Sequence, residues 1–216
     1  MDGHEFVEQL IAENERVLAK LDEDPLVAAA DAAQLPALLK MALKNELEAA
    51  EIAAAWVPQT PEVEAKLLFA QHAGDEARHY ELIDQRLRAM GVDLMGFQPL
   101  EPPSPVLEYL RTLSTTIERV AAALVTREAM GGRRNQQFLK YLIAVGADDL
   151  ARLYREVIIP DEDRHHAAGC VLLARLAVMP VAQERARRAA QRLLAIGDSV
   201  RTTTMQRTGA PVVPGC

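Results

Sequence analysis

One five-residue pattern occurs twice in the chain: Asp75-Glu76-Ala77-Arg78-His79 and Asp161-Glu162-Asp163-Arg164-His165, both D-E-x-R-H. The chain has only five histidines in 216 residues. Chance placement of Asp, Glu and Arg ahead of two of them has odds of roughly one in 500,000, so the repeat calls for a chemical reason. On a helix, residues i and i+3 share a face, and each copy projects a carboxylate and an imidazole in one direction. Such oxygen and nitrogen donors suit iron or manganese. Two such helices facing each other, joined by an inward glutamate from each of two neighbouring helices, would offer four carboxylates and two imidazoles to two metal ions. The two cysteines, Cys170 and Cys216, are far apart and form no CxxC. That excludes a zinc ribbon, a rubredoxin-type iron site and a disulfide framework.

The elements that must position these residues are helices. Ala, Leu, Glu and Arg dominate, β-branched and aromatic residues are sparse, and period-2 alternation is absent. The prolines leave two long free windows, 62–98 and 106–159. Residues 3–22 carry Phe6, Leu10, Val17 and Leu21 at helical spacing, an amphipathic satellite helix. Pro36 opens a second helix to about Val57 with Glu46 on its apolar face, and after the turn at 57–61 Pro61 opens a third to about Met90. The irregular stretch 91–105 is a crossover long enough to run the length of a bundle. Ser104-Pro105 then caps a helix whose apolar stripe includes Leu110, Leu113, Ile117, Leu124 and Glu128, with Gly131-Gly132 as a kink or end. The turn at 146–149, with Asp as N-cap, starts a further helix to about Ala177 that contains Pro160. An Arg-rich helix over about 181–196 and a flexible tail at 201–216 complete an all-α, single domain of about 200 residues with its bundle at about 36–178.

Glu46 and Glu128 are the candidates for the two further glutamates. Reflection through the turn at about residue 145 places Glu128 level with Glu162. Reflection through about residue 59 brings Glu76 one turn from Glu46, which a kinked helix could absorb. Glu48, Glu51 and Glu118 are the fallbacks. With these residues the chain resembles the non-haem di-iron oxygenase and oxidase branch of the ferritin-like superfamily, over roughly residues 36–178. The resemblance implies a ferritin-like four-helix bundle with a long crossover. It implies Glu46, Glu76, His79, Glu128, Glu162 and His165 as ligands of two iron ions, manganese being the alternative, with Glu76 and Glu162 as bridging carboxylates central to catalysis. Asp75, Arg78, Asp161 and Arg164 would surround the ligands; carboxylates that accept the other N–H of a ligating imidazole fix its tautomer. The implied activity is O2-dependent hydroxylation or oxidation of an organic substrate in an apolar pocket. Electrons would come from a separate protein, because no flavin, nicotinamide or iron–sulfur signature is present. Competing readings are an iron-handling ferroxidase or peroxide scavenger and a metal-free helical binding module.

Net charge of -7 and a pI near 5.3 oppose binding to nucleic acid or anionic lipid. A tRNA substrate follows from the resemblance alone. The lack of a long apolar run and of a signal-peptide pattern predicts a cytoplasmic protein, with a homodimer compatible. Other residues have plainer readings. His72 is a core or supporting histidine, Trp56 is core, Tyr154 is core with a supporting or redox role beside Glu162 as its alternative, and Pro160 is a kink that opens space beside Glu162. His166 is rotated off the ligand face, His4 is exposed, and Arg185, Arg187, Arg188 and Arg192 form a solvated face.

Overall fold

The computed structural model describes residues 1–19, 30–208 and 214–215; Leu21 of the expected first helix and Cys216 lie outside them. Every regular element among the described residues is helical, and none of these helices is long and apolar enough to cross a membrane.

Helix α1 (Gly3–Leu18) starts with a capping box between Asp2 and Glu5 and buries Phe6, Val7 and Leu10. Helices α2 (Leu35–Trp56) and α3 (Val63–Ala89) form the most extensive pair. They run antiparallel: Trp56 packs on Phe69 with ring centroids 5.3 Å apart, and Glu46 reaches His79. The pair therefore mirrors about residue 62 rather than 59. A turn at 57–59 followed by extended residues 60–62 delays α3, so α2 stays a regular helix and no kink is needed.

After the crossover, Ser104 caps α4 (Pro105–Arg111) by accepting from the Leu107 N–H. The helix expected to continue toward Glu128 breaks here. Thr112 turns its hydroxyl onto the Tyr109 carbonyl, and Thr115 forms a new capping box with Glu118 that starts α5 (Thr116–Arg119). A π-helical segment, Val120–Arg127, follows directly and leads into α6 (Glu128–Ala144). Gly131 and Gly132 do not end α6, which runs on for three turns past them. The chain turns at Gly146, whose φ of 71° suits glycine. Ala147, not an aspartate, precedes α7 (Asp148–Leu153), and Asp148 and Asp149 instead occupy its first turn, where the helix dipole favours them. A second π-helical segment, Tyr154–Ile158, joins α7 to α8 (Ile159–Leu176). Pro160 has no N–H and its ring excludes the carbonyl four residues back, and the widened turn just before it accommodates both.

Helix α9 (Pro180–Thr208) extends well beyond 196, so residues 201–208, expected as tail, are helical. Pro214 and Gly215 are also seated: the Pro214 carbonyl accepts from Asn45 Nδ2 at 2.8 Å, and the Gly215 N–H donates to Asn135 Oδ1 at 2.9 Å. The arginine face of α9 is not wholly solvated either. Arg187 pairs with Glu13 and lies over the Phe6 ring, tying α9 to α1. Helix α8 approaches the first π-helical segment closely at Gly169, where a Cβ would stand 2.5 Å from Leu124 Cβ.

Among the described residues the core falls into two large apolar clusters separated along the same rods, with a small third formed by Leu18, Met130 and Leu194. Of the large ones, one holds Ile52, Trp56, Phe69, Leu110, Leu124 and Leu173. The other holds Leu39, Leu43, Ile83, Phe138, Tyr154 and Ile158. On each of α2, α3, the 116–144 stretch and the 148–176 stretch, the residues between the two clusters include a buried glutamate. Each fully buried aliphatic side chain contributes about 1.5–3 kcal/mol, and these two layers offset the cost of the polar layer they enclose.

Candidate metal centre

That polar layer contains Glu46 from α2, Glu76 and His79 from α3, Glu128 at the start of α6, and Glu162 and His165 from α8, all of them buried. The structure brings these six together and adds His72. Ligand atoms from His72, Glu76, Glu128 and His165 lie within 4.8 Å of one another, and so do those from Glu46, Glu76, His79 and Glu162. Two buried His/Glu groups that could each hold a metal ion thus share one residue, Glu76.

Both histidines of the doubled pattern are oriented by the other copy. His79 Nε2 hydrogen-bonds Asp161 Oδ2 at 3.0 Å, and His165 Nε2 hydrogen-bonds Asp75 Oδ2 at 2.9 Å. A carboxylate accepts, so each imidazole donates from Nε2 and turns Nδ1 inward. His79 Nδ1 lies 3.6 Å from both Glu46 and Glu76, and His165 Nδ1 lies 3.4 Å from Glu76. Arg164 donates to Asp161 at 2.5 Å and to Asp75 at 3.1 Å, so one guanidinium fixes both carboxylates. Arg78 is mostly exposed and only comes within 4.0 Å of Asp161.

The inward atoms fit a cation. Both carboxylate oxygens of Glu46 and of Glu76, together with Nδ1 of His79 and of His165, are buried without a hydrogen-bond partner. Buried polar atoms are rarely left so. Without a metal, protons must spread the charge. Burial and the neighbouring Glu76 push the Glu46 carboxyl up to about 8 against the pull of His79. Burial and then the charges of Glu128, Glu76 and Glu46 hold Glu162 well above the usual carboxylate range. For Glu76, burial is outweighed by the imidazoles of His165, His72 and His79, which hold it well below that range. For Glu128, burial is likewise outweighed by His72 and His165, and its carboxyl falls to about 2. Burial would keep the two imidazoles neutral, yet Glu46 and Glu76 raise His79 to about 12, and Glu128 and Glu76 raise His165 to about 11. Two imidazolium ions and two carboxyls that resist ionisation occupy a place where divalent cations would supply the same neutralisation.

The fallback glutamates are engaged elsewhere. Glu48 accepts from the Ser104 N–H and hydroxyl and pairs with Lys44, Glu51 pairs with Arg111 at the surface, and Glu118 closes the α5 capping box. His166 Nδ1 donates to the Val125 carbonyl within the first π-helical segment at 2.9 Å, away from the inward ligand atoms. Tyr154 packs edge-on against Phe138 in the apolar cluster. Sequence reasoning gave His72 only a supporting place, although its spacing of four residues from Glu76 and seven from His79 puts all three on one helix face.

An open cavity of about 370 Å³ reaches Glu128 and is lined by Glu15, Arg133, Gln136, Gln137, Lys140 and Asp163 among others. Its exposed lining is divided about evenly between polar and apolar surface. Comparison with protein-family models, with curated proteins and with solved structures finds no match in any of the three.

Proposed function

We propose that the chain is a ferritin-like, carboxylate-bridged di-iron protein that oxidises or hydroxylates an organic substrate with O2. The observation that carries this reading is that Glu76 belongs to both ligand groups, as a bridging carboxylate must. The long antiparallel pairs, the extended 91–105 connection and the inward glutamate on each of four helical stretches support the ferritin-like bundle.

In this reading Glu46, Glu76, His79 and Glu162 hold one metal, and Glu76, Glu128 and His165 hold the other, with Glu76 and Glu162 nearest the reacting centre. Bound iron supplies the redox chemistry and the affinity for O2 that the side chains lack. The protein does the rest. Asp75 and Asp161 keep the imidazoles in the tautomer that offers Nδ1. Arg164 donates to both of those carboxylates and holds them in place. The apolar clusters on either side exclude water from the layer. The cavity at Glu128 admits a substrate, and its charged and amide lining favours a polar one. Electrons come from a separate donor protein.

The test is anaerobic loading with Fe(II), removal of excess metal, and measurement of O2 uptake on adding a chemical reductant. Wild-type protein is expected to consume O2 in proportion to its bound iron, and Glu76→Ala is expected to consume none above free iron. Equal uptake by the two would refute the reading.

A further inference from the structure

His72 is not part of the doubled pattern, yet it is buried as fully as Glu128 and Glu162, 1 % exposed. Its Nε2 lies 3.0 Å from Glu128 Oε1 and 3.1 Å from Glu76 Oε1. Its ring stands edge-on to His165, centroids 4.6 Å apart at 82°, so the two imidazoles converge on the same carboxylates without stacking over each other. The outward Nδ1 is buried and has no hydrogen-bond partner. The inward nitrogen is therefore the only atom of the ring that meets polar groups, and the two atoms it meets belong to one ligand group.

Counting donors, the group of His72, Glu76, Glu128 and His165 offers two nitrogens and two oxygens. The group of Glu46, Glu76, His79 and Glu162 offers one nitrogen and three oxygens. We infer that His72 is a metal ligand, and that it makes the two positions of the centre chemically unequal, so that they fill in two separate steps. This rests on the two-metal reading above. Nitrogen donors favour the later first-row divalent ions, whereas carboxylate oxygens suit manganese. The His72 position is accordingly the one that prefers cobalt or iron, and the Glu46 position is the one that tolerates manganese.

The competing role for His72 is a hydrogen bond from Nε2 that clamps Glu76 to Glu128. The experiment separates the two. Co(II) is titrated into the full chain and followed by visible ligand-field absorption and by metal content after desalting, for wild type, His72→Ala and His72→Gln. Wild type is expected to bind two Co(II) in two resolved steps. In His72→Ala one step is expected to weaken about 100-fold, at the upper end of what loss of a mere outer partner costs, while the other keeps its affinity and spectrum. That retained step shows the variant is folded. Added imidazole, which fits the vacated space, is expected to restore the lost step. His72→Gln, which can still donate a hydrogen bond, is expected to behave as His72→Ala. Unchanged affinities and spectra in His72→Ala, or wild-type behaviour in His72→Gln, would overturn the assignment. A wild-type chain that binds no Co(II) would instead overturn the two-metal reading itself.

Discussion

The two copies of D-E-x-R-H share their residues but not their surroundings. Their central exchange is symmetric: each Asp receives the imidazole N–H of the opposite copy, so neither helix can orient its histidine alone. Beyond that the symmetry fails. Arg164 fixes both aspartates, and Arg78 is left at the surface. The first copy sits on an uninterrupted α-helix preceded by His72, while the second follows a π-helical turn and Pro160. The repeat sets up the paired ligands, and the differing flanks make the two halves of the centre unequal.

The largest effect should come from the one residue the halves share. Glu76→Ala is expected to lose both metals, leaving a helical protein whose metal content after loading is that of a blank; Glu162→Ala, in one group only, should retain the other metal. A Glu76→Ala chain that still held a full complement would show that the halves are independent sites. Next come the crossed carboxylates. Asp75→Ala and Asp161→Ala should each weaken metal binding by about 10–100-fold, Asp75→Ala at the His165 position and Asp161→Ala at the His79 position. Arg164→Ala should weaken both positions and Arg78→Ala neither, as read by competition with a chelator.

The metal-free centre also sets a pH dependence. His79 and His165 are raised to about 12 and 11, and Glu46 to about 8. A raised folded-state value contributes stability that is complete below the unfolded value and is lost as pH climbs toward the folded one. Metal-free protein should therefore lose stability as pH rises from about 4.5, through Glu46 up to about 8 and through the two imidazolium ions from about 6.5 upward. The depressed Glu76 and Glu128 contribute stability lost only under acid, outside that window. Metal displaces the same protons, so the gap in Tm between loaded and metal-free protein should widen over this range, and a constant gap would argue that these groups do not meet the metal. The smallest effects belong to the fallbacks: Glu51→Ala and Glu118→Ala, outside the buried layer, should leave metal content unchanged and cost about 1 kcal/mol or less.

Much of this comparison was legible in the sequence. The helix-face rule places Glu76 with His79 and Glu162 with His165, and the apolar stripes carry Glu46 and Glu128 inward. The level of Glu128 with Glu162 followed from a tight turn at Gly146. Less visible was anything that depended on how segments end. The break at Thr112–Thr115 arises from hydroxyls that compete for the backbone, and a stripe that continues through Leu113 and Ile117 conceals it. The π-helical turns change the residue count per turn without changing composition. The assignment of each Asp to the opposite histidine is a matter of helix separation, which spacing within one helix does not contain. His72 had the right spacing from Glu76, but only the arrival of Glu128 from another helix gives that spacing a meaning.

The decisive measurement is iron per chain after anaerobic Fe(II) loading and desalting, made side by side on wild type and Glu76→Ala. Two irons in the wild type and none in the variant are expected from a centre bridged by one carboxylate. No iron in the wild type, or the same iron in both, would contradict it.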